Sequence, residues 1–315
     1  MYFFITHQCV KILGLVPVIK DHSSVDLTSI DTYWGEHTVN SLPFLTISQS
    51  REQLEWRMSI YPFLKEYMQL YANHENQVIM DYGCGPGNDV TGFALYSKAK
   101  KIIGVDVSKK ALQLAQHRLA IHLINPDRIE LIHISDKPST IPLENNSVDY
   151  INSEGVLHHT SNPEILLKEF YRVLKPESQA CIMVYNYESI WMHIHAAYLL
   201  RTQMEKYSGM SAMDVFSKCM DGEDCPKALC YRSEDFISIC KDAGFDSVEY
   251  LGGFFGLDEL EYLTKYGYRK QALQEEKLEE EHKEFLRNLQ FNEDGYPLYD
   301  GKTAGFGGVY NLYKQ

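Results

Sequence analysis

Short runs of aliphatic and β-branched residues recur along this chain, separated by stretches whose apolar positions return every third or fourth residue. The runs QVIMDYG (77–83), KIIGVDVS (101–108), RIELIHIS (128–135), SVDYINSEGV (147–156) and SQACIMVYN (178–186) read as buried strands. Helical spacing fills the gaps between them. One helix is expected from about Asp89 to Ser97 and another over 109–122, capped by Ser108. A further helix is expected over 163–175, where Asn162 before Pro163 marks the start. Strand and helix alternate in units of about thirty residues, which predicts an α/β fold with a doubly wound, mostly parallel sheet.

The regularity breaks twice. Residues 187–232 read as a helical insertion, and the alternation resumes with a helix over 233–245 and a strand over 247–256. A second helical insertion follows over about 257–290, with the charge-rich QEEKLEEEHKEFLRNLQ turning Leu278, Phe285 and Leu289 inward. GGVYNLYK (307–314) reads as a last strand, antiparallel to its neighbours. Ahead of the first strand, Ser50 and Gln53 form a capping-box pair opening a helix that Pro62 would kink. The expected organisation is an N-terminal arm and cap helix (1–75), a cofactor-binding core (76–186 and 233–256), lid insertions (187–232 and 257–305) and a final core strand (306–315). Both insertions leave the carboxyl edge of the sheet, so with the N-terminal segment they are expected to roof the site with Tyr, Met, Phe and Trp191.

Composition narrows the function. The 315 residues carry a formal charge of −13 without a basic run, which argues against a general affinity for nucleic acid. Seven scattered cysteines suit reduced thiols in a cytoplasmic setting better than a disulfide scaffold. The apolar start, MYFFITHQCVKILGLVPVIK, is interrupted by His7, Gln8 and Lys11. It is expected to be a buried strand or ordered arm, not a membrane span or signal peptide.

The chemistry sits in MDYGCGPGNDV (80–90). Three glycines alternate at 83, 85 and 87, and Asp81 stands two residues ahead of them. A glycine turn at a helix start ordinarily cradles a pyrophosphate. A carboxylate about 4 Å from such an anion would cost about 4 kcal/mol at an effective dielectric of 20. Asn88 also replaces the small residue that ends the dinucleotide fingerprint. Both departures suit a cationic nucleoside without phosphate, and S-adenosylmethionine is one. Asp106, 23 residues after Gly83, ends the second strand where an acid accepts from ribose hydroxyls, and Asp136 follows the third strand where the adenine would lie.

Together VIMDYGCGPGND, GVDVS, SVDYINSEGVLHHT and EFYRVLKP resemble the class I S-adenosylmethionine-dependent methyltransferases, in particular the branch holding the ubiquinone- and menaquinone-biosynthesis enzymes. The resemblance is close over residues 76–186 and loose over 233–256 and 306–313. It implies a seven-stranded sheet in which only the last strand is antiparallel. It also implies cofactor contacts at Asp81, Gly83, Gly85, Asp106 and Asp136, with Cys84, Gly87, Asn88, Val107 and Glu154 in the same surface. The sequence departs from the pattern at LKPES, where a glycine pair is usual, and by one extra residue between Asp136 and Pro142.

Methyl transfer needs alignment and sometimes a base, and no metal. His158 and His159, just past the fourth strand, are the candidate bases for a hydroxyl acceptor, favoured over amine, carbon or sulfur; their alternative role is to shape the loop. Arg57 and Tyr61 share a helix face from which they reach a carboxylate of cofactor or substrate. Cys219, Cys225, Cys230 and Cys240 lack the spacing of zinc knuckles. The expected protein is therefore a methyltransferase for an enclosed small molecule, with no nucleic-acid or membrane partner. The competing readings are an RNA or protein methyltransferase, a non-catalytic cofactor-binding module, and an NAD-dependent oxidoreductase.

Overall fold

In a computed structural model describing residues 16–39 and 42–315, the apolar runs pair into one nine-stranded sheet. Its order is β1 (Ile19–Asp21), β4 (Ile129–His133), β3 (Lys101–Asp106), β2 (Val78–Tyr82), β5 (Val148–Glu154), β6 (Leu174–Asn186), β12 (Gly307–Lys314) and β8 (Ser247–Phe254), with β7 (Cys230–Tyr231) paired to β6. β12 runs antiparallel to both β6 and β8, and every other pairing is parallel. The seven expected strands are all present. Two short ones are added, the edge strand β1 and the two-residue β7, because three-residue and two-residue pairings leave no periodicity to read. A separate three-stranded sheet, β9 (Gln290–Phe291), β10 (Pro297–Tyr299) and β11 (Lys302–Thr303), was likewise silent in the pattern. The arm expected over residues 1–20 lies mostly outside the described residues.

Alternate side chains of each strand enter opposite layers. On one face Ile79, Ile102 and Leu131 pack with Val90 and Phe93 of α4 (Asn88–Tyr96) and Leu112 and Leu119 of α5 (Lys109–Ile121). On the other, Met80, Ile103 and Ile151 meet Leu166 and Phe170 of α6 (Pro163–Val173) and Phe236 of α9 (Ser233–Asp242). The first insertion holds a π-type helix, α7 (Trp191–Gln203), and α8 (Ala212–Met220). The second holds α10 (Leu257–Thr264), α11 (Tyr268–Gln274) and α12 (Glu280–Asn288). α1 (Ser29–Glu36), α2 (Ile47–Ile60) and α3 (Leu64–Tyr67) precede the sheet.

The start of α2 differs from expectation. Thr46 is the N-cap, accepting from Gln49 N at 3.2 Å, and the helix ends at Ile60, before Pro62. Ser50 and Gln53 instead serve a longer-range contact. Arg118, fully buried on α5, donates to Ser50 Oγ at 2.7 Å, Ser50 O at 2.8 Å and Gln53 Oε1 at 3.0 Å, and also to Asn88 Oδ1. One guanidinium thus ties α2 to the helix that opens on the glycine turn.

Glu259 of α10 is the other buried tie. It accepts from Trp191 N at 2.9 Å and Phe306 N at 3.2 Å, joining both insertions to the last strand. Burial pushes its carboxyl up to about 8. A group whose folded value is raised gives stability that is complete below its unfolded value of about 4.5 and fades as pH rises toward 8. Wild-type stability in urea is therefore expected to decline over that window. E259Q, which removes the titration but keeps one acceptor oxygen for the two backbone N–H groups, should flatten the decline while lowering stability at acid pH.

Candidate active site

A cavity of about 470 Å³ opens at the carboxyl ends of β2, β3 and β5, where the strand order reverses. Its floor is the glycine turn. Gly83, Gly85 and Gly87 have φ of +78°, +51° and +82°, left-handed conformations that glycine adopts at least cost. A Cβ on Gly83 would lie 2.1 Å from Val156 Cγ2, and one on Gly87 would lie 2.8 Å from Ala115 Cβ. The first glycine lets the turn pass under β5, and the third seats α4 against α5. Cys84 lines the floor while its thiol packs into the core beside Gly104.

The three expected acids all line the cavity, each held differently. Asp81 Oδ1 accepts from Asn152 Nδ2 at 2.9 Å, while its buried Oδ2 has no partner. Asp106 accepts from Gly85 N at 2.8 Å and Ser108 N at 2.7 Å, which fixes its carboxylate next to Val107 at the cavity wall. Asp136 accepts from Ser161 N at 2.8 Å, and its own N–H donates to Asp31 of α1 at 2.8 Å. Asp136 therefore braces the loop after β5 with its carboxylate and α1 with its backbone, and the carboxylate is less free than the sequence suggested.

Arg57 reaches the cavity but is spent on protein carboxylates. It donates to Asp89 Oδ1 at 2.7 Å and to Glu154, so its expected contact with a cofactor carboxylate would compete with two ion pairs. Burial alone would depress Arg57; Asp89 and Glu154 outweigh it and hold the guanidinium charged. Burial pushes Asp81 well above the usual carboxylate range, with Asp89 adding to the rise, and it raises Glu154 against the pull of Arg57. Among the described lining residues there are six carboxylates (Asp81, Asp89, Asp106, Asp136, Glu154, Asp221) and one fixed cation, Arg57. Such a pocket is electrostatically incomplete, and an orphaned carboxylate oxygen on its wall fits a cationic guest. Asn88 also lines the cavity, but its side-chain oxygen is held by Arg118.

The two histidines part company. His159 lines the cavity; His158 does not. His158 is fully buried, with its ring 3.8 Å from that of Tyr185 and no hydrogen-bond partner for either nitrogen, so it packs the loop away from the cavity. Nδ1 of His159 donates to Lys227 O at 2.7 Å, leaving Nε2 3.4 Å from Asp221 Oδ2. Tyr185 donates to that same Asp221 oxygen at 2.7 Å. Asp221 lies in MDGEDCP (220–226), a polar loop whose sequence allows a substrate contact but suits a plain turn better and does not mark which acid folds back to the sheet edge. Cys225 Sγ, 3.9 Å from Nδ1, donates to the same Lys227 carbonyl, and Cys230 and Cys240 lie in different core layers.

The roof is chiefly N-terminal. Ile30, Trp34, Thr38 and Val39, then Gln53, Trp56, Arg57 and Tyr61, line the cavity from α1 to α2. Of the two insertions only Asp221 reaches it; Trp191 packs instead on His195 and Tyr262. The wall is completed by Tyr185, Phe254 and Phe306.

A family model described as "Methyltransferase domain" matches residues 73–244, more than half of the chain. The chain belongs to the class I S-adenosylmethionine-dependent methyltransferases. An uncharacterized methyltransferase of Schizosaccharomyces pombe is 32% identical over 119 residues, which cover 36% of this chain and 42% of that protein. The chain thus aligns with less than half the length of this relative. A demethylmenaquinone methyltransferase of Oceanobacillus iheyensis is 28% identical over 60% of this chain and 79% of its own. Among solved structures, a chain of the complex between the Haloferax volcanii Trm112 methyltransferase activator and its putative methyltransferase superposes with a TM-score of 0.51 at 15% identity. That match covers 93% of this chain and 100% of the other, and it bears on the fold. S-adenosylmethionine is the cofactor of this methyltransferase family. G83A is expected to keep the fold but lower affinity for S-adenosylhomocysteine by at least about tenfold, because the turn must shift to clear Val156. Isothermal calorimetry with the wild-type protein as reference measures it.

Proposed function

We propose that this protein transfers a methyl group from S-adenosylmethionine to a small-molecule acceptor enclosed beneath α1 and α2, with His159 taking the acceptor's proton. The carrying observation is the cavity's charge: six carboxylates against one committed arginine, with Asp81 Oδ2 buried and unpartnered. Asp81 would neutralise the cationic end of the cofactor, Asp106 would accept from its ribose hydroxyls, and the Asp136 loop would enclose its base. When bound, the cofactor supplies a methyl carbon activated by positive sulfur, which the acceptor's lone pair takes as the carbon–sulfur bond breaks and its electrons return to sulfur.

The rest is alignment and proton management. The Lys227 carbonyl holds His159 in the tautomer whose Nε2 is basic. Burial lowers His159 below its ordinary value even against Asp221, so it is neutral at pH 7 and ready to accept. The size and enclosure of the cavity suit a discrete molecule better than a polymer, and the negative wall disfavours RNA. The described cysteines are free thiols, in keeping with a reducing, cytoplasmic setting, and no helix among the described residues is long and apolar enough to cross a membrane.

Calorimetry tests this reading. S-adenosylmethionine should bind and NADH should not, and D81N should weaken S-adenosylmethionine at least about tenfold. Tight NADH binding with indifference to the sulfonium compound rejects it. H159N should leave affinity for S-adenosylhomocysteine unchanged while lowering kcat by about a hundredfold or more. Unaltered turnover would remove His159 from the chemistry.

A further inference from the structure

Beside the roof of the cavity two hydrogen-bond acceptors face one another with no protein donor between them. His159 donates from Nδ1 to the Lys227 carbonyl, so its neutral ring carries the lone pair on Nε2, and that atom looks across 3.4 Å at Asp221 Oδ2. The Tyr185 hydroxyl satisfies one lone pair of this oxygen at 2.7 Å, and the other remains. Cys225 adds no donor here, because its thiol is given to the Lys227 carbonyl. Two facing lone pairs on largely buried groups repel until a water, a cation or a donor comes between them, and an organic molecule that displaces water there must bring hydrogens of its own.

The number of hydrogens decides what that occupant is. A hydroxyl brings one, enough for His159 or Asp221 but not both. A primary amine brings two and its ammonium three, and a secondary amine brings two when it arrives as its ammonium. We propose, resting on the methyltransferase reading above, that the methyl acceptor is a primary or secondary amine whose nitrogen bridges His159 Nε2 and Asp221 Oδ2.

The surroundings agree. The Trp34 ring lies 4.9 Å from His159 in an edge contact, and Tyr185 and Phe306 continue the aromatic wall, a lining that favours an organic cation over an anion. The sole fixed cation lining the cavity among the described residues, Arg57, is committed to Asp89 and Glu154, so no partner remains for an acceptor carboxylate or phosphate. Protons balance in this site. An amine arriving as ammonium gives one proton to Nε2 and is left with the lone pair that methylation consumes. The methylated nitrogen becomes positive again beside Asp221, and the His159 proton leaves to solvent.

Isosteric probes separate the possibilities. Calorimetry first titrates S-adenosylhomocysteine, then adds phenethylamine, 2-phenylethanol or phenylacetate to the loaded protein. Phenethylamine is expected to bind at least about tenfold more tightly than the alcohol, with phenylacetate silent. D221N should erase that preference while leaving affinity for S-adenosylhomocysteine unchanged, which shows that the variant is folded. The proposal is overturned by equal or tighter binding of the alcohol, by binding of phenylacetate, by no amine binding up to about 10 mM, or by a preference that survives D221N. Failure of S-adenosylhomocysteine to bind would overturn the methyltransferase reading and this one together, and the first titration alone reports it.

Discussion

A surplus of buried negative charge at the ends of three parallel strands organises this molecule. Asp89 and Glu154 share one arginine while Asp81 has none, and burial drives Asp81 and Glu154 toward protonation. Carboxylates so placed weaken the empty protein and strengthen the occupied one, because a positive guest restores what desolvation removed. The glycine turn, the α1–α2 roof and the Arg118 cluster all hold that charge in a dry, defined place. Arg118 matters most among them, since it connects Ser50 and Gln53 on the roof to Asn88 at the floor.

The same economy governs the acceptor side. Asp221 comes from the loop after α8 and His159 from the loop after β5, and they meet because Leu229 N bonds to His158 O while Lys227 Nζ bonds to Ser161 O at 3.0 Å. The first insertion thus contributes a single acid to the cavity lining. Its other aromatic residues build the packing that holds that acid in place.

Strand and helix periodicity made the seven-stranded core legible, because the central strands are buried on both faces and each flanking helix on one. Asp81, the glycines and Asp106 were legible for a related reason: local backbone geometry forces such residues to adjoin in sequence. What stayed hidden is long-range. Ser50 and Gln53 have the spacing of a cap and serve a guanidinium more than sixty residues away. His158 and His159 are indistinguishable in sequence, and only the turn of one short helical loop sends one ring into the core and the other to the cavity. Asp221 carries no local signal at all.

The imidazole of His159 is oriented by a main-chain oxygen, and this has an evolutionary corollary. Any amino acid at position 227 offers the same carbonyl, so the side chain there bears on the ring only through the Lys227 Nζ bond to Ser161 O that helps set the loop. A comparison of relatives by residue identity does not register a main-chain carbonyl as the companion of that ring. The companion would be preserved all the same, in the path of the loop.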